Sequence, residues 1–433
     1  MAATVASPTS GSTMPGASVI AYGRAHSTLV MVVIGVAVMA LAREISGEDD
    51  LTSSGMFGVA LRTAIPIAMA GLAGLYAERS GTVNIGLEGM MVMGTIFAGW
   101  WGWYFGPWMA LLGGLIGGML GGLLHALATV TFGVNHIVSG FAINILAPGV
   151  ARFMGNELFS QEPGGSITNS PGNKGDIGRF TMPLTSGGDL FGWKSPDPLG
   201  WLEKRHWFAI SDIAGLLRGL TANLTIDVII ALGLIVLAWY VLWRTPFGLR
   251  LRSAGEKPSA TDSLGVSVAL IRYQAMALSG AMAGFGGAVL VLFSNRYQEG
   301  QTGGRGFLGL ASLILGNWRP GGLLAGAGLF GYAQGITLRN DNAGLVRTII
   351  LVAAIAMIIG VAWSVATRRW TPAIVVAALG VLGIWAYIVF KEPNNQFVYI
   401  FPYVVVLVVV SVRNQSLRPP AAEGIPYFKG QQT

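Results

Sequence analysis

The segment ERSGTVNIGLEGMMVMG, residues 78–94, gathers polar and charged groups in a stretch flanked by apolar residues. Asn84 and Glu88 are four residues apart, so on a helix they share a face. An ionised carboxylate in hydrocarbon costs about 3 kcal/mol on insertion scales. Glu88 must therefore face a protein interior or a water-filled route, or be protonated. One reading is a polar route past helices interrupted at Gly81 and Gly86, a device of membrane transporters. The other is a buried clamp between helices. Glu78, Arg79 and Ser80 read as a solvated helix end.

A second group lies in GVNHIVSGFAINILAP, residues 133–148. Asn135 is expected to cap a helix. His136, Ser139 and Asn144 have the chemistry to hydrogen-bond a polar solute or to join helices. The chain has no cysteine, which excludes disulfides, thiolate metal sites and cysteine nucleophiles. Its four histidines are scattered without ligand spacing, so no metal site is expected. No nucleophile–base–acid set appears, and GxxxxGK[ST] is absent, so the chain has no P-loop of its own. An enzyme is not expected.

Two further stretches carry signals of a different kind. In TPFGLRLRSAGEKPSATDSLGVSVALIRY, residues 245–273, a short amphipathic helix over Pro258–Leu264 is expected between Gly255 and Gly265. Such an element lies at a membrane surface and docks into a groove of a soluble partner, or it is a surface loop that only sets topology. In GRGFLGLASLILGNWRPGG, residues 304–322, the apolar part is too short to span a bilayer. It reads as a half-helix or a re-entrant turn.

The elements that must position these groups are long apolar runs. Of the 433 residues, 53% are hydrophobic and only 11% are charged, against roughly 25% charged in soluble domains. The runs are continuous rather than alternating, which favours helices over a barrel. The expectation is an all-α polytopic membrane protein of about ten to twelve transmembrane helices, some short or broken. Segments are expected at about 27–42, 57–76, 83–99, 108–130, 134–153, 225–243, 270–292, 306–317, 321–338, 346–366, 370–390 and 396–412. Gly113–Gly122, GGLIGGMLGG, places glycine at every fourth position on two adjacent stripes, a close-packing surface.

The expected organisation is a disordered cytoplasmic tail (1–26), an N-terminal transmembrane half (27–155), an extracytoplasmic loop or subdomain (156–220), a C-terminal transmembrane half (221–412) with a cytoplasmic loop (244–272), and a second cytoplasmic tail (413–433). Asp212–Leu220 reads as an interfacial helix. The net charge of +7 fits basic cytoplasmic loops rather than nucleic-acid binding, for which no basic patch interleaved with aromatics appears. Arg244, Arg250, Arg252, Lys257 and Arg272, then Arg368 and Arg369, then Arg413, Arg418 and Lys429, put both termini inside.

Taken in order, ERSGTVNIGLEGMMVMG, NHIVSGFAINILA, GLRLRSAGEKPSATDSLGV and FLGLASLILGNWRPGG closely resemble the permease subunits of bacterial ABC importers for nucleosides and simple sugars, the nucleoside branch above all. The resemblance covers roughly residues 57–390. It implies an inverted-repeat helical core in the cytoplasmic membrane, working beside a second, identical or related permease. It further implies two ABC ATPase subunits that bind ATP and Mg, and a solute-binding lipoprotein outside. No cofactor would sit in this chain. The loop resembling L-R-A-x-G-E-N-P-x-A-A-x-x-x-G-I would be the ATPase-coupling helix. Arg250, Gly255, Glu256, Pro258, Ala260 and Gly265 fit the pattern, with Arg252 and Asp262 beside them; Lys257 replaces Asn and Thr261 replaces Ala. Asn84, Glu88, Ser139 and Asn144 would line the substrate pathway. The alternative is a proton-coupled secondary transporter, for which only Glu88, with His125 second, is placed deep enough to relay protons.

Overall fold

The computed structural model describes residues 27–190, 192–339, 342–366, 370–390, 395–412 and 417–429. The N-terminal tail over 1–26 and the orienting charges Arg368, Arg369 and Arg413 lie outside them. The chain forms α1 (Ser27–Ser46), α2 (Ser54–Arg79), α3 (Leu87–Phe105), α4 (Pro107–Ala126), α5 (His136–Phe159), α6 (Pro198–Glu203), α7 (Ile210–Gly219), α8 (Ile226–Arg244), α9 (Pro246–Glu256), α10 (Pro258–Ser263), α11 (Val268–Ser294), α12 (Arg305–Leu315), α13 (Pro320–Ile336), α14 (Asn342–Ala366), α15 (Trp370–Val389) and α16 (Asn395–Val412). Each of the twelve expected segments falls on one of these helices. Six helices among the described residues are long and apolar enough to cross a membrane.

The twenty-six-residue α2 is the central post, buried along most of its length. Around it pack α3, α11, α12 and α13. The glycine stripes of α4 do what their spacing predicts. Gly113 and Gly117 lie against α3 at Phe97 and Met93, while Gly114, Gly118 and Gly122 lie against α11. A β-carbon on Gly118 would collide with the Gly280 carbonyl, and one on Gly284 with the Gly114 carbonyl. Backbones this close gain dispersion contacts and lose little side-chain entropy, the currency of association in lipid. A second apolar cluster joins Leu51 and Met56 to Ala333, Leu345 and Val398. By contrast, α14 and α15 pack mainly on each other.

The bundle has two differently built ends. At the loop pole, residues 160–225 fold into small elements. β1 (Arg179–Phe180) pairs antiparallel with β4 (Leu224–Thr225), and β2 (Asp189–Leu190) with β3 (Trp193–Lys194). Side-chain charges tie them to the spans. Arg43 at the end of α1 donates to Asp212 of α7 at 2.9 Å, and Thr52 and the Ala209 amide donate to the same carboxylate. Arg218 bridges Asp197 and Glu203, and Glu203 accepts from the Ser54 amide at the start of α2. At the opposite, tail pole lie α9, α10, the α12–α13 turn and residues 417–429.

Candidate functional site

The centre of the site is the break between α2 and α3. α2 stops in a Schellman motif: Thr82 donates to the Ala77 carbonyl and Gly81 to the Glu78 carbonyl. Gly81 occupies the left-handed position that this motif requires, with φ +90°. The expected span at 83–99 therefore begins four residues late, at Leu87. Residues 82–86 cross the interior without helical hydrogen bonds, so their polar backbone groups need partners from elsewhere.

Those partners come from three other helices, α4, α5 and α11. The Val83 carbonyl lies 3.0 Å from His125 Nε2, and the Val83 amide donates to His136 Nδ1 at 3.2 Å. A carbonyl only accepts, so His125 carries its proton on Nε2, and Ser139 donates to His125 Nδ1 at 2.9 Å. Asn84 closes a turn by accepting from the Gly86 amide at 3.0 Å and donates to Ser279 of α11 at 2.8 Å. Asn144 of α5 donates to the Ile85 carbonyl at 2.9 Å and accepts from the Gly89 amide at 2.8 Å, an otherwise orphaned donor in the first turn of α3.

Glu88 takes the clamp geometry. One carboxylate oxygen accepts from the Gly304 amide at 2.9 Å and the other from Gly306 at 2.7 Å. Glu88 thus sits in the first turn of α3 and caps the first turn of α12. Two positive helix ends converge on one carboxylate, which offsets its desolvation without a metal or a bound solute. Gly306 permits this approach, because a β-carbon there would strike Glu88. α12 is a half-helix of eleven residues, as its length predicts. Asn135 caps α5 as expected, accepting from Ile137 and Val138.

The solvated helix end expected at Glu78–Ser80 is not found. Glu78 is 2% exposed and accepts from the Trp318 indole, and Arg79 donates to the Trp318 carbonyl at 2.8 Å. The α12–α13 turn and the tail cover this end. Arg272, counted above as a loop charge, is equally buried in α11 and donates to the Ile425 carbonyl.

The basic loop contains α9 and then α10, the short helix expected from Pro258. Arg250 and Ala260 are exposed, and Gly265 is exposed with φ +80°. Leu264, at the tip, is 83% exposed. Arg252 stacks over Trp243 at 5.8 Å, Pro258 is buried, and Asp262 is half-buried near Tyr427. Gly255 is pressed against the Arg79 carbonyl at the head of the break. The tail straps this contact: Ala422 donates to the Gly255 carbonyl at 2.9 Å, Gly424 to the Gly81 carbonyl at 3.0 Å, and Ala421 to Glu256 at 3.2 Å.

The structure thus brings Asn84, Glu88, Ser139 and Asn144 together around one break, and joins Gly255 and Glu256 to it through the tail. Arg250, Ala260 and Gly265 stand apart on the surface. The sequence reading missed Ser279, the pairing of His125 with His136 across Val83, Trp318 and the strap. Two histidines beside helix ends were a signal for the first pair; nothing in LRPPAAEGIPYFKG marks a docked segment. Among the described residues no group of histidines and acids could hold a metal ion.

A bundle of membrane-length helices, one broken and one half-length, with an exposed short helix wired to the break, defines a multi-pass membrane transport component. A family model described as the permease component of branched-chain amino acid transport systems matches residues 56–355, and the chain belongs to this family. The guanosine ABC transporter permease NupQ of Bacillus subtilis is 28% identical over 85% of this chain and 95% of its own. The nucleoside ABC transporter permease NupC of Lactococcus lactis is 34% identical over 61% of this chain and 76% of its own. The putative glucose ABC transporter permease TsgC13 of Haloferax volcanii is 29% identical over 68% and 80%. No solved structure matches the chain.

Proposed function

We propose that the chain is the membrane permease subunit of an ATP-driven importer for nucleosides or sugars, seated in the bacterial cytoplasmic membrane with both termini inside. The solute class rests on what NupQ, NupC and TsgC13 are named for. Two ABC ATPase subunits, binding ATP and Mg, act on the tail pole. A second permease, identical or related, completes the pathway, and a binding lipoprotein delivers solute at the loop pole. The chain itself carries no cofactor and no catalytic group.

The observation that carries the reading is the contact of Gly255 with the Arg79 carbonyl. It connects the basic loop that carries Arg250, Arg252, Pro258, Ala260, Asp262 and Gly265 directly to the helix break. A push on α10 reaches Gly81–Gly89 through a few residues. Asn84, Glu88, Ser139 and Asn144 brace that break, and its rearrangement opens and closes the route in alternating access.

The test is charge reversal, Arg250→Glu with Arg252→Glu, in the complex reconstituted into vesicles. ATP hydrolysis should persist while uptake falls. Uptake that survives ATP depletion and collapses with the proton gradient would overturn the reading in favour of proton coupling.

A further inference from the structure

The helix α7 is amphipathic in the inverse sense of a helix on a soluble domain. Its polar residues Ser211 and Asp212 are buried and fully engaged: Ser211 donates to the Leu202 carbonyl, and Asp212 holds Arg43, Thr52 and the Ala209 amide. Its apolar residues point away from the protein. Ile210, Ile213 and Leu217, with Trp201, Trp207 and Phe208 before them, are each 44–54% exposed. A helix that turns its charged side to the protein and its apolar side outward needs an apolar medium on that side.

The position of α7 says which medium. Gly215 lies against the Thr52 carbonyl, and Gly219 against Ser54 and Phe57, so α7 runs beside the first turns of α2. The Arg43–Asp212 pair fixes it to the last turn of α1. The membrane-length helix α2 begins at its level and α1 ends there, which sets α7 at the edge of the apolar layer that α2 would cross. Tryptophans gather at that level in membrane proteins because the ring suits the acyl boundary and the indole N–H suits water. Arg205 lies over the Trp201 ring at 4.5 Å, beside exposed Lys204, which places two cations at the edge of the apolar face where lipid phosphates sit.

We infer that α6 and α7 form a paddle that lies in the headgroup–acyl boundary of one leaflet, with Trp201, Trp207, Phe208, Ile210, Ile213 and Leu217 embedded. The loop pole is then anchored twice, to the spans by Asp212 and to lipid by the opposite face. This inference needs only the membrane setting and not the solute or the ATPase partners.

The absence of cysteine makes the test direct. Single variants Ile213→Cys and Leu217→Cys of the full chain are spin-labelled in nanodiscs of phosphatidylethanolamine and phosphatidylglycerol. Lys194→Cys on exposed β3 serves as the aqueous reference and Ile229→Cys on α8 as the lipid reference. Collision with oxygen relative to a water-soluble nickel chelate should be several-fold higher at 213 and 217 than at 194, and close to that at 229. Ile210→Cys repeats the measurement if either variant fails to fold. A ratio equal to that at 194 overturns the inference. So does shielding that appears only when the soluble binding protein is added, which would make this face a protein seat.

Discussion

The two poles of the bundle are fastened by different chemistry. At the loop pole, buried or half-buried charges hold the small elements to the spans: Arg43 and Asp212 are 5% and 1% exposed, and Arg218 serves two carboxylates. At the tail pole, the strap over 417–429 is held mainly by main-chain donors meeting main-chain carbonyls at Gly81 and Gly255, with single side-chain bonds from Glu256, Asn317 and Arg272 and no ion pair among the described residues. A buried ion pair is costly to break on one side, because it strands a charge. A backbone hydrogen bond contributes about 0.5–1.5 kcal/mol net and depends little on side-chain identity. The loop pole is therefore built to stay put, and the tail pole to yield under force. That division suits the proposed drive from the tail pole.

The largest expected effect is at the loop pole. Asp212→Ala leaves Arg43 buried with only the half-exposed Glu44 as a partner and should cost about 3 kcal/mol, read as a fall in thermal unfolding temperature of the purified protein. The double variant Arg43→Met with Asp212→Leu should recover much of it. If the single variant melts like the parent, the contrast between the poles fails.

Next comes the brace between the poles. Glu88→Gln keeps the side-chain shape but replaces the charge that faces two helix ends with an amide that satisfies only one of the two amides as an acceptor. Uptake should fall more than membrane expression does, in vesicles matched for protein. Unchanged uptake would reduce Glu88 to a packing residue.

Deletion of 417–429 should be milder for stability. The complex should still assemble and hydrolyse ATP, with less solute moved per ATP, because Gly255 loses its strap to Gly81. A drop in melting temperature as large as that of Asp212→Ala would show that the strap is a structural fastening like those of the loop pole.

The smallest effect concerns pH. Burial raises the Glu423 carboxyl above the ordinary carboxylate range, while a hydrogen bond with Glu78 and then the charge of Arg79 pull it back in part. The docked tail therefore binds a proton more tightly than the released tail. Docking is strongest below the ordinary carboxylate value and weakens as pH rises through the raised one. The protection factor of the Gly424 amide, taken against its intrinsic exchange rate at each pH, should fall across that interval, and Glu423→Gln should flatten that fall.

Much of this architecture is legible in the sequence. The glycine pairs of α4 announced two packing faces, and α3 and α11 occupy them. The short apolar run after Gly304 announced a half-helix. The polar residues of the site were also visible, because polarity inside an apolar run is conspicuous. Their partners were not, since Glu88 meets amides more than two hundred positions away and Asn84 meets Ser279. The expectation at Glu78 failed for the same reason: local sequence shows a helix end but not the turn that folds over it.

By itself the sequence determined where the long apolar helices run, that glycines interrupt them near 81–86 and that they belong in a membrane. Hydrophobic length, glycine spacing and helix-stop chemistry are local properties, and a bilayer enforces them residue by residue. Only the tertiary structure decided that Glu88 is satisfied by two helix ends, that α7 turns its apolar side outward and that the tail straps Gly255 to Gly81. Those outcomes depend on which backbone groups are left unpaired when distant helices meet, and that is fixed by packing.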